Sequence, residues 1–326
     1  PRLGNAATSS RATRRGLAMC RALIYLGRPA LLDNLLFQPD SSLVKQTFMP
    51  RMLHMLNLAG FGMMAWDGAA YDSDGPFRYS APTLPDFDRN LKDLSVKIQA
   101  RCLLAHVRGV PYTTEVAISH QNTHPFCFPG YKVALAHNGD LHRFGEMKGD
   151  LLAHIRPEIM RLIGGSTDSE WIYAVLLSRL DDPKSVCDGE ELRDAVEKTL
   201  RIIREARHKQ GLATSSSINL FITNGAVAIA VRYCFDFGRY RTEDPARVHE
   251  ANMNYLSLWY TTGREFGYHE GEWKMVGGDE TADSLIIASE PLTHDTTTWL
   301  EVPEYSLLYA DTQGAQPTVA NYPLDI

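Results

Sequence analysis

The amino-acid sequence predicts one layered α+β domain in which strand-rich ends enclose a helical middle. Three observations support this prediction. The first and last thirds contain short apolar runs bounded by turn residues, the middle third has apolar positions at helical spacing, and strands and helices do not alternate as in a βαβ protein. A chain of 326 residues is long enough for one large domain, and no Pro/Gly/Ser-rich linker divides it.

The first part of the chain begins with a strand after Cys20, which Gly27 is expected to end. A Gly-, Ser-, Asp- and Pro-rich stretch predicts a loop over 68–86. Polar residues follow the apolar runs 102–107 and 133–136, where sites tend to lie. The predicted strands cover residues 20–27, 60–66, 102–107 and 133–136. The predicted helices cover residues 31–37, 41–47 and 86–100.

The middle and last parts supply the remaining elements. Helical spacing is clearest over 190–208, where one face of the helix is apolar. The dipeptide Asn224-Gly225 between two apolar runs predicts a β-hairpin. The predicted helices cover residues 145–163, 168–180 and 190–208. The predicted strands cover residues 218–223, 226–233, 256–260, 284–289 and 306–309.

Composition excludes two classes of partner. With 33 basic and 39 acidic residues, a net charge of -6 leaves no broad basic surface, so no nucleic-acid partner is expected. No apolar run approaches the roughly 20 residues that span a bilayer, so no membrane partner is expected. Five scattered cysteines, an odd number, predict thiols in a reducing compartment, and we expect a cytoplasmic protein.

Residues 1–19 differ from the rest of the chain because they carry four arginines and no acidic residue. A transit peptide, a pro-segment, a wrongly assigned start and an expression artefact are all compatible with this composition. We favour the last two, since Met19 is a plausible initiator and regular structure follows it directly. The missing apolar segment excludes a secretory signal. The main domain is therefore expected over residues 20–326.

Metal binding and cofactors are not expected. Cys102 and His106 have a spacing that suggests metal ligands, but they fall in a predicted strand. Residues four apart in a strand lie roughly 13 Å from each other, too far to share one ion.

Several short motifs together indicate a family. Met-Cys-Arg at 19–21, Asn-Gly at 138–139 and Ser-Thr-Asp-Ser-Glu at 166–170 resemble the class II glutamine amidotransferases, which are N-terminal-nucleophile hydrolases. Within this family, the chain resembles the branch that contains the fungal glutathione-degradation amidotransferase and the γ-glutamyl hydrolase of ergothioneine biosynthesis. Each motif alone is weak, but their order and spacing are specific from about residue 19 to about residue 310. The motifs that indicate the branch lie at 46–47, 60–62, 122–126 and 288–292.

The resemblance implies a four-layer αββα sandwich and a nucleophile at Cys20. If Met19 is removed, Cys20 has both a thiol and a free α-amine, whose ordinary pKa of about 7.7–8.0 suits a base near neutral pH. Attack on a γ-carbonyl would form a γ-glutamyl thioester, which water then hydrolyses. The competing interpretation of Cys20 is a small buried residue at the start of a strand.

The remaining site residues follow from the same resemblance. Asn138 and the N–H of Gly139 are expected to stabilise the oxyanion, although this dipeptide is also a common turn after a strand. Arg108 is expected to bind the substrate carboxylate and Asp168 its ammonium group. Ser166 or Asp168 would alternatively cap the next helix. His124 is expected to support the carboxylate position, unless backbone groups simply satisfy its ring.

The expected function is an amidohydrolase that cleaves glutamine or a γ-glutamyl conjugate. Two alternatives remain at this stage: a glutaminase subunit that delivers ammonia to a separate synthase, and a non-catalytic binding relative with an unprocessed Cys20. The chain departs from the branch at Asn57-Leu58-Ala59, where a polar residue is lost, and in the loop over 109–112. We therefore expect its substrate preference to differ.

Overall fold

The structure is a computed structural model. The residues that this structure describes are 20–52, 56–70, 75–110, 117–240, 243–246, 248–249, 257–278, 282–311 and 318–326. The expected leader, Met19 included, lies outside the described residues, as do Leu256, Pro111 and Tyr112.

Strands form most of the regular structure, and longer helices lie in the middle of the chain. The strands are β1 (Arg21–Leu31), β2 (Phe61–Trp66), β3 (Phe77–Ala81), β4 (Gln99–Val107), β5 (Ala134–Gly139), β6 (Ser216–Thr223), β7 (Val227–Arg232), β8 (Cys234–Phe235), β9 (Trp259–Gly263), β10 (Glu265–His269), β11 (Glu272–Val276), β12 (Ser284–Ala288), β13 (Leu300–Glu301), β14 (Ser306–Asp311) and β15 (Thr318–Pro323). The helices are α1 (Leu32–Leu36), α2 (Arg89–Ser95), α3 (Phe144–Leu152), α4 (Pro157–Met160), α5 (Asp168–Leu177) and α6 (Gly189–Lys209).

The strands form two large antiparallel sheets. The first sheet has the order β13-β9-β12-β1-β4-β2-β3, and the second has the order β15-β14-β7-β6-β5, with β8 paired to β6. Strands β10 and β11 form a separate two-stranded ribbon. The strand that follows Cys20 is therefore central in the first sheet, between β12 and β4.

Three apolar clusters show how the layers stack. Alternate residues of β1 face opposite sides because side chains alternate along a strand. Leu23 and Tyr25 pack with α1 and Leu91 of α2 on the outer face of the first sheet. Ala22 and Ile24 pack between the two sheets. The outer face of the second sheet packs against α3, α4, α5 and α6. The order helix, sheet, sheet, helix confirms the predicted four-layer αββα fold.

Several predicted boundaries were wrong, each for a local reason. β1 continues past Gly27 because Ala30 and Leu31 pair with the start of β4 after a register shift. The helix expected over 86–100 is shortened to α2, because the Asp88 side chain caps it by accepting the Leu91 N–H at 3.1 Å. The helix expected over 145–163 is two helices, and Pro157 begins the second.

Other elements were predicted correctly or not predicted at all. The hairpin at Asn224-Gly225 is confirmed: the Asn224 side chain accepts the N–H of Val227 at 2.9 Å, and Gly225 has a φ of +91°. The loop expected over 68–86 contains the edge strand β3, whose half-exposed residues lack an apolar run. The sequence did not predict β10, β11 or β15.

Candidate active site

Cys20 lies where the ends of the two sheets meet. It precedes β1, and its backbone nitrogen donates to Asn138 Oδ1 of β5 at 3.2 Å. Its thiol accepts the N–H of Gly109, just beyond the end of β4, at 3.4 Å. β1 and β4 are neighbours in the first sheet, while β5 belongs to the second. Three separate strand ends therefore meet at Cys20, which is accessible only in part because the residue is 8% exposed.

The surroundings of Cys20 favour the neutral thiol. Burial raises the pKa of Cys20, and the Asp168 charge acts in the same direction. The Gly109 N–H and the positive charges of Arg108 and Arg21 oppose this increase without cancelling it. A base is therefore needed to form the thiolate near neutral pH.

Asn138 and Gly139 end β5, and both are closely surrounded. The Asn138 side chain is fully buried; its Oδ1 accepts from Cys20 and its Nδ2 donates to Ser289 Oγ at 3.2 Å. A Cβ at Gly139 would lie 2.1 Å from the Ser217 carbonyl oxygen and 2.5 Å from His137 Nε2. Only glycine fits this position without displacement of β5 or β6.

Arg108 follows β4 and is 4% exposed. Its backbone N–H donates to the Gly60 carbonyl at 2.8 Å, and its Nη1 donates to the Ala117 carbonyl at 3.2 Å. Burial lowers the pKa of Arg108, while the Asp168 carboxylate, and the Cys20 thiolate whenever it forms, raise it. The guanidinium therefore belongs to the same electrostatic environment as the thiol and Asp168.

Asp168 is the first residue of α5. Its Oδ2 accepts the Leu141 N–H at 2.7 Å, and its Oδ1 accepts the Ser169 N–H at 2.8 Å. The predicted alternative that Ser166 or Asp168 caps the helix was wrong. Thr167 is the N-cap, since its hydroxyl accepts the Glu170 N–H at 3.3 Å. The half-buried Asp168 carboxylate is therefore held beside the site by Leu141 and Ser169.

His124 belongs to a group of buried histidines. Its ring centroid lies 4.2 Å from that of His106, and neither nitrogen of the His124 ring has a hydrogen-bond partner among the described residues. Burial lowers the pKa of His106 to about 3, with further repulsion from Arg108. Burial also lowers the pKa of His124, helped by repulsion from His106, His137 and Arg108. Both rings are therefore neutral. The competing interpretation, in which backbone groups satisfy the ring of His124, has no such contact in the described part of the chain.

A loop next to Arg108 is held by residues to which sequence reasoning gave no role. The carboxylate of Glu170 accepts the N–H groups of Gly164 at 2.9 Å and Gly165 at 2.7 Å. Asn122 Oδ1 accepts the Ser166 N–H at 2.9 Å, and its Nδ2 donates to the Ala117 carbonyl that also accepts from Arg108. Asn122 lies in the motif at 122–126 and Glu170 in the motif at 166–170, and membership of these motifs was the sequence signal that could have identified them.

Ser289 and Glu290, just beyond β12, were also missed. Ser289 Oγ accepts from Ala22 N at 3.0 Å as well as from Asn138. Glu290 accepts from Arg21 Nε at 3.4 Å, and Arg21 Nη1 donates to the Cys20 carbonyl at 2.9 Å. Two polar residues that directly follow the apolar run over 285–288 were the signal that could have identified them.

Metal ligation and membrane spanning have no support in the described ranges. No group of three His, Cys, Asp or Glu residues there is arranged to hold a metal ion. None of the helices in that part of the chain combines the length and apolar character that a membrane span needs. All five cysteines are buried free thiols.

Comparison with known proteins identifies the family. The chain is 32% identical over 309 residues to "Probable glutamine amidotransferase DUG3" of Saccharomyces cerevisiae, covering 89% of this chain and 81% of that protein. The family model "Glutamine amidotransferases class-II" matches residues 82–235. This chain belongs to the class II glutamine amidotransferases. It is therefore an enzyme of the glutamine amidotransferase type, as the sequence motifs predicted.

Other relatives are similar to this amidotransferase over less of its length or only in fold. It is 31% identical over 127 residues to "Gamma-glutamyl-hercynylcysteine sulfoxide hydrolase" of Mycobacterium tuberculosis, over 38% of this chain and 51% of that protein. A Silicibacter pomeroyi "glutamine aminotransferase class-II domain protein" shares its fold, with a TM-score of 0.57 and 16% identity over 93% of this chain and all of that one. The glutamine phosphoribosylpyrophosphate amidotransferase of B. subtilis also shares its fold, with a TM-score of 0.54 and 16% identity over 94% of this chain and 50% of that one.

Proposed function

We propose that this amidotransferase cleaves a γ-glutamyl amide through a thioester on Cys20, in one catalytic domain over residues 20–326. The observation that carries the proposal is the position of Cys20. Its backbone nitrogen lies 3.2 Å from Asn138 Oδ1 and its sulfur 3.4 Å from Gly109 N, close to the charges of Arg108 and Asp168.

The reaction begins when removal of residues 1–19 leaves Cys20 with a free α-amine. The amine takes the thiol proton, and the thiolate attacks the γ-carbonyl carbon of the substrate. The Asn138 Nδ2–H and the Gly139 N–H stabilise the oxyanion of the tetrahedral intermediate. The proton then passes from the α-ammonium to the leaving nitrogen, and the C–N bond breaks to give the thioester. Water, deprotonated by the amine, releases glutamate and restores the thiol.

Substrate recognition is assigned to the charged residues beside the nucleophile. Arg108 binds the α-carboxylate with paired N–H donors, as arginine does wherever planar carboxylates are selected. Asp168 accepts from the α-ammonium group. The neutral ring of His124 packs at a tilt on His106, with 4.2 Å between the ring centroids, and supports the region behind Arg108.

A γ-glutamyl conjugate is the favoured substrate, and delivery of ammonia to a separate synthase is the second candidate. Relatives named γ-glutamyl-hercynylcysteine sulfoxide hydrolase favour the first. The match over 89% of this chain to a protein named an amidotransferase favours the second. A conjugate hydrolase should turn over alone, whereas a glutaminase subunit should remain slow until its synthase is added. Rapid hydrolysis of conjugates without hydrolysis of glutamine would exclude the subunit.

The proposal is tested by the intact mass of protein expressed from its natural gene, before and after incubation with a diazoketone analogue of glutamine. A mass that starts at Cys20, with one adduct that is lost in Cys20→Ala, is expected. A mass that retains residues 1–19 and gains no adduct would favour a precursor or the non-catalytic alternative. The mechanism would then be withdrawn for that form.

A cytoplasmic location is part of the proposal. All five cysteines are buried thiols, which suits a reducing compartment. Microscopy of a fluorescent fusion at the C-terminus tests this, because accumulation in an organelle or outside the cell would contradict it.

A further inference from the structure

The end of β12 places two buried polar residues beside the nucleophile. Ser289 is fully buried and Glu290 is 1% exposed, directly after five buried residues of the strand. In the ladder between β12 and β1, the Ser289 N–H donates to the Ala22 carbonyl at 2.9 Å. The Ala22 N–H donates in return to the Ser289 hydroxyl, at 3.0 Å, instead of to a backbone carbonyl. A side chain thus takes over the last backbone pairing next to Cys20.

The hydrogen bonds of this hydroxyl restrict the orientation of Asn138. Ser289 Oγ accepts from Ala22 N and from Asn138 Nδ2, so both of its acceptor positions are used. On the other side of the amide, Asn138 Oδ1 accepts from the Cys20 nitrogen at 3.2 Å. Both neighbours therefore select the same orientation of the amide. The second Nδ2 hydrogen has no acceptor among the described residues and is the donor that remains for a substrate oxyanion.

We infer that Ser289 is a positioning residue, which fixes Asn138 as an oxyanion donor relative to the nucleophile. The inference rests on the proposed function and adds to it a residue from a distant part of the chain. One hydroxyl bonds both the first peptide of β1 and the Asn138 amide, so it links the strand that carries the sulfur to the donor in the other sheet. Without this oxygen, the amide can rotate and present Oδ1, which would repel the oxyanion.

Glu290 supports the same arrangement through the backbone. It accepts from Arg21, whose Nη1 donates to the Cys20 carbonyl, and also from Arg51 N at 3.0 Å and Met52 N at 3.1 Å. Ser289 therefore bonds the peptide group that follows Arg21, and Glu290 acts through the Arg21 side chain on the peptide group that precedes it. Of these two residues, Ser289 is the one that links the start of β1 to Asn138.

The test compares Ser289→Ala with Ser257→Ala. Ser257 is a matched control because it is also buried and donates to the Ser289 carbonyl without contacting Asn138. With a γ-glutamyl anilide as the probe, Ser289→Ala should lower kcat about 10- to 100-fold and change KM less than twofold. This is smaller than the 10²- to 10³-fold loss typical of a deleted oxyanion donor. Ser257→Ala should keep kcat within about threefold of wild type, and Ser289→Thr should recover most of the kcat.

Two inhibitors separate positioning from a merely structural role. The aldehyde analogue of glutamine forms a thiohemiacetal whose oxyanion needs Asn138, so its affinity should fall in Ser289→Ala by the same factor as kcat. Alkylation by the diazoketone analogue depends mainly on the thiol and should stay within about threefold. In an Asn138→Ala background, Ser289→Ala should have almost no further effect on kcat, because the group it positions is gone.

The outcomes distinguish this inference from the proposed function. If wild type neither turns over a γ-glutamyl amide nor becomes labelled at Cys20, the proposed function fails and the role of Ser289 fails with it. If wild type is active but Ser289→Ala resembles Ser257→Ala, or adds its full effect to Asn138→Ala, only the positioning role is overturned. Should Ser289→Ala not fold, Ser289→Cys is measured by the same criteria, since sulfur is a weak acceptor of similar shape.

Discussion

Replacement of Gly139 by alanine tests how closely two neighbouring strands of the second sheet, β5 and β6, define the site. The added Cβ would lie 2.1 Å from the Ser217 carbonyl oxygen on the neighbouring strand β6. To reach ordinary contact at about 3.4 Å, β5 and β6 must separate there by about 1.3 Å. Overpacking of this kind costs about 1–3 kcal/mol of stability. A misplacement near 1 Å costs about 100-fold in rate, so Gly139→Ala should lose about that much kcat.

The measurements are kcat for a γ-glutamyl anilide and the free energy of unfolding in urea. Gly149→Ala is the control, because Gly149 lies in α3 and a Cβ there meets nothing within 4 Å. Alanine in an exposed helix is favoured over glycine by about 0.5–1 kcal/mol, so this variant should be slightly more stable and fully active. If Gly139→Ala kept both kcat and stability within error of wild type, the steric reasoning would be refuted.

Three further predictions concern buried ionisable groups. Glu290→Gln should lower the free energy of unfolding by about 3 kcal/mol, because the buried Arg21 loses its counter-charge. The control Glu146→Gln, which removes a charge from an exposed ion pair, should lower it by less than about 0.5 kcal/mol. Equal losses for the two variants in urea titrations would contradict the prediction. As pH falls from 6.5 towards 3, wild type should lose about 1.4 kcal/mol per pH unit more than His106→Gln, because unfolded His106 binds a proton that the folded ring, with a pKa of about 3, does not. Parallel stability curves would count against that prediction. Burial raises the pKa of Cys20, so in protein that retains residues 1–19 the rate of its alkylation by iodoacetamide should still increase above pH 9. The rate is measured by peptide mass spectrometry, and a rate that reaches a plateau below pH 9 would disprove the prediction.

Local chemistry explains which parts of the fold were predictable. The turn at Asn224-Gly225 and the apolar stripe of α6 are properties of neighbouring residues, and both predictions were confirmed. The helix expected over 86–100 was wrong because periodicity does not reveal the cap at Asp88 or the pairing of Ala100 with Ala30. Edge strand β3 was missed because an edge needs no apolar run. Pairing across the sheet decided these cases, and a single stretch of sequence does not contain it.

The candidate site divides in the same way. Cys20, Arg108 and Asn138 stand in short motifs at strand ends, and sequence reasoning selected them. Their roles remain predictions, although the structure places them together. Ser289 was quoted within a motif and given no role, because its partner Asn138 lies 151 residues away. A serine after an apolar strand has no visible function until the neighbouring strand is known.

The distance between Cys20 and Asn138, the proposed nucleophile and oxyanion donor, is a property of the packing between the two sheets. Cys20 precedes a strand of the first sheet and Asn138 ends a strand of the second, yet they are joined by a 3.2 Å hydrogen bond. Packed sheets ordinarily lie about 10 Å apart, and side chains fill the space between them. Small residues are frequent in the cluster between these sheets, which contains Ala22, Ala134, Ala136, Ala228, Ala230 and Ala310. Cα atoms of β1 and β4 lie within 8 Å of Cα atoms of β5 and β6, a close approach that the small methyl groups of these alanines allow. One asparagine side chain can therefore reach Cys20. The alanines therefore contribute to the geometry of the proposed reaction without contacting any substrate, and no motif search directed at polar residues would find them.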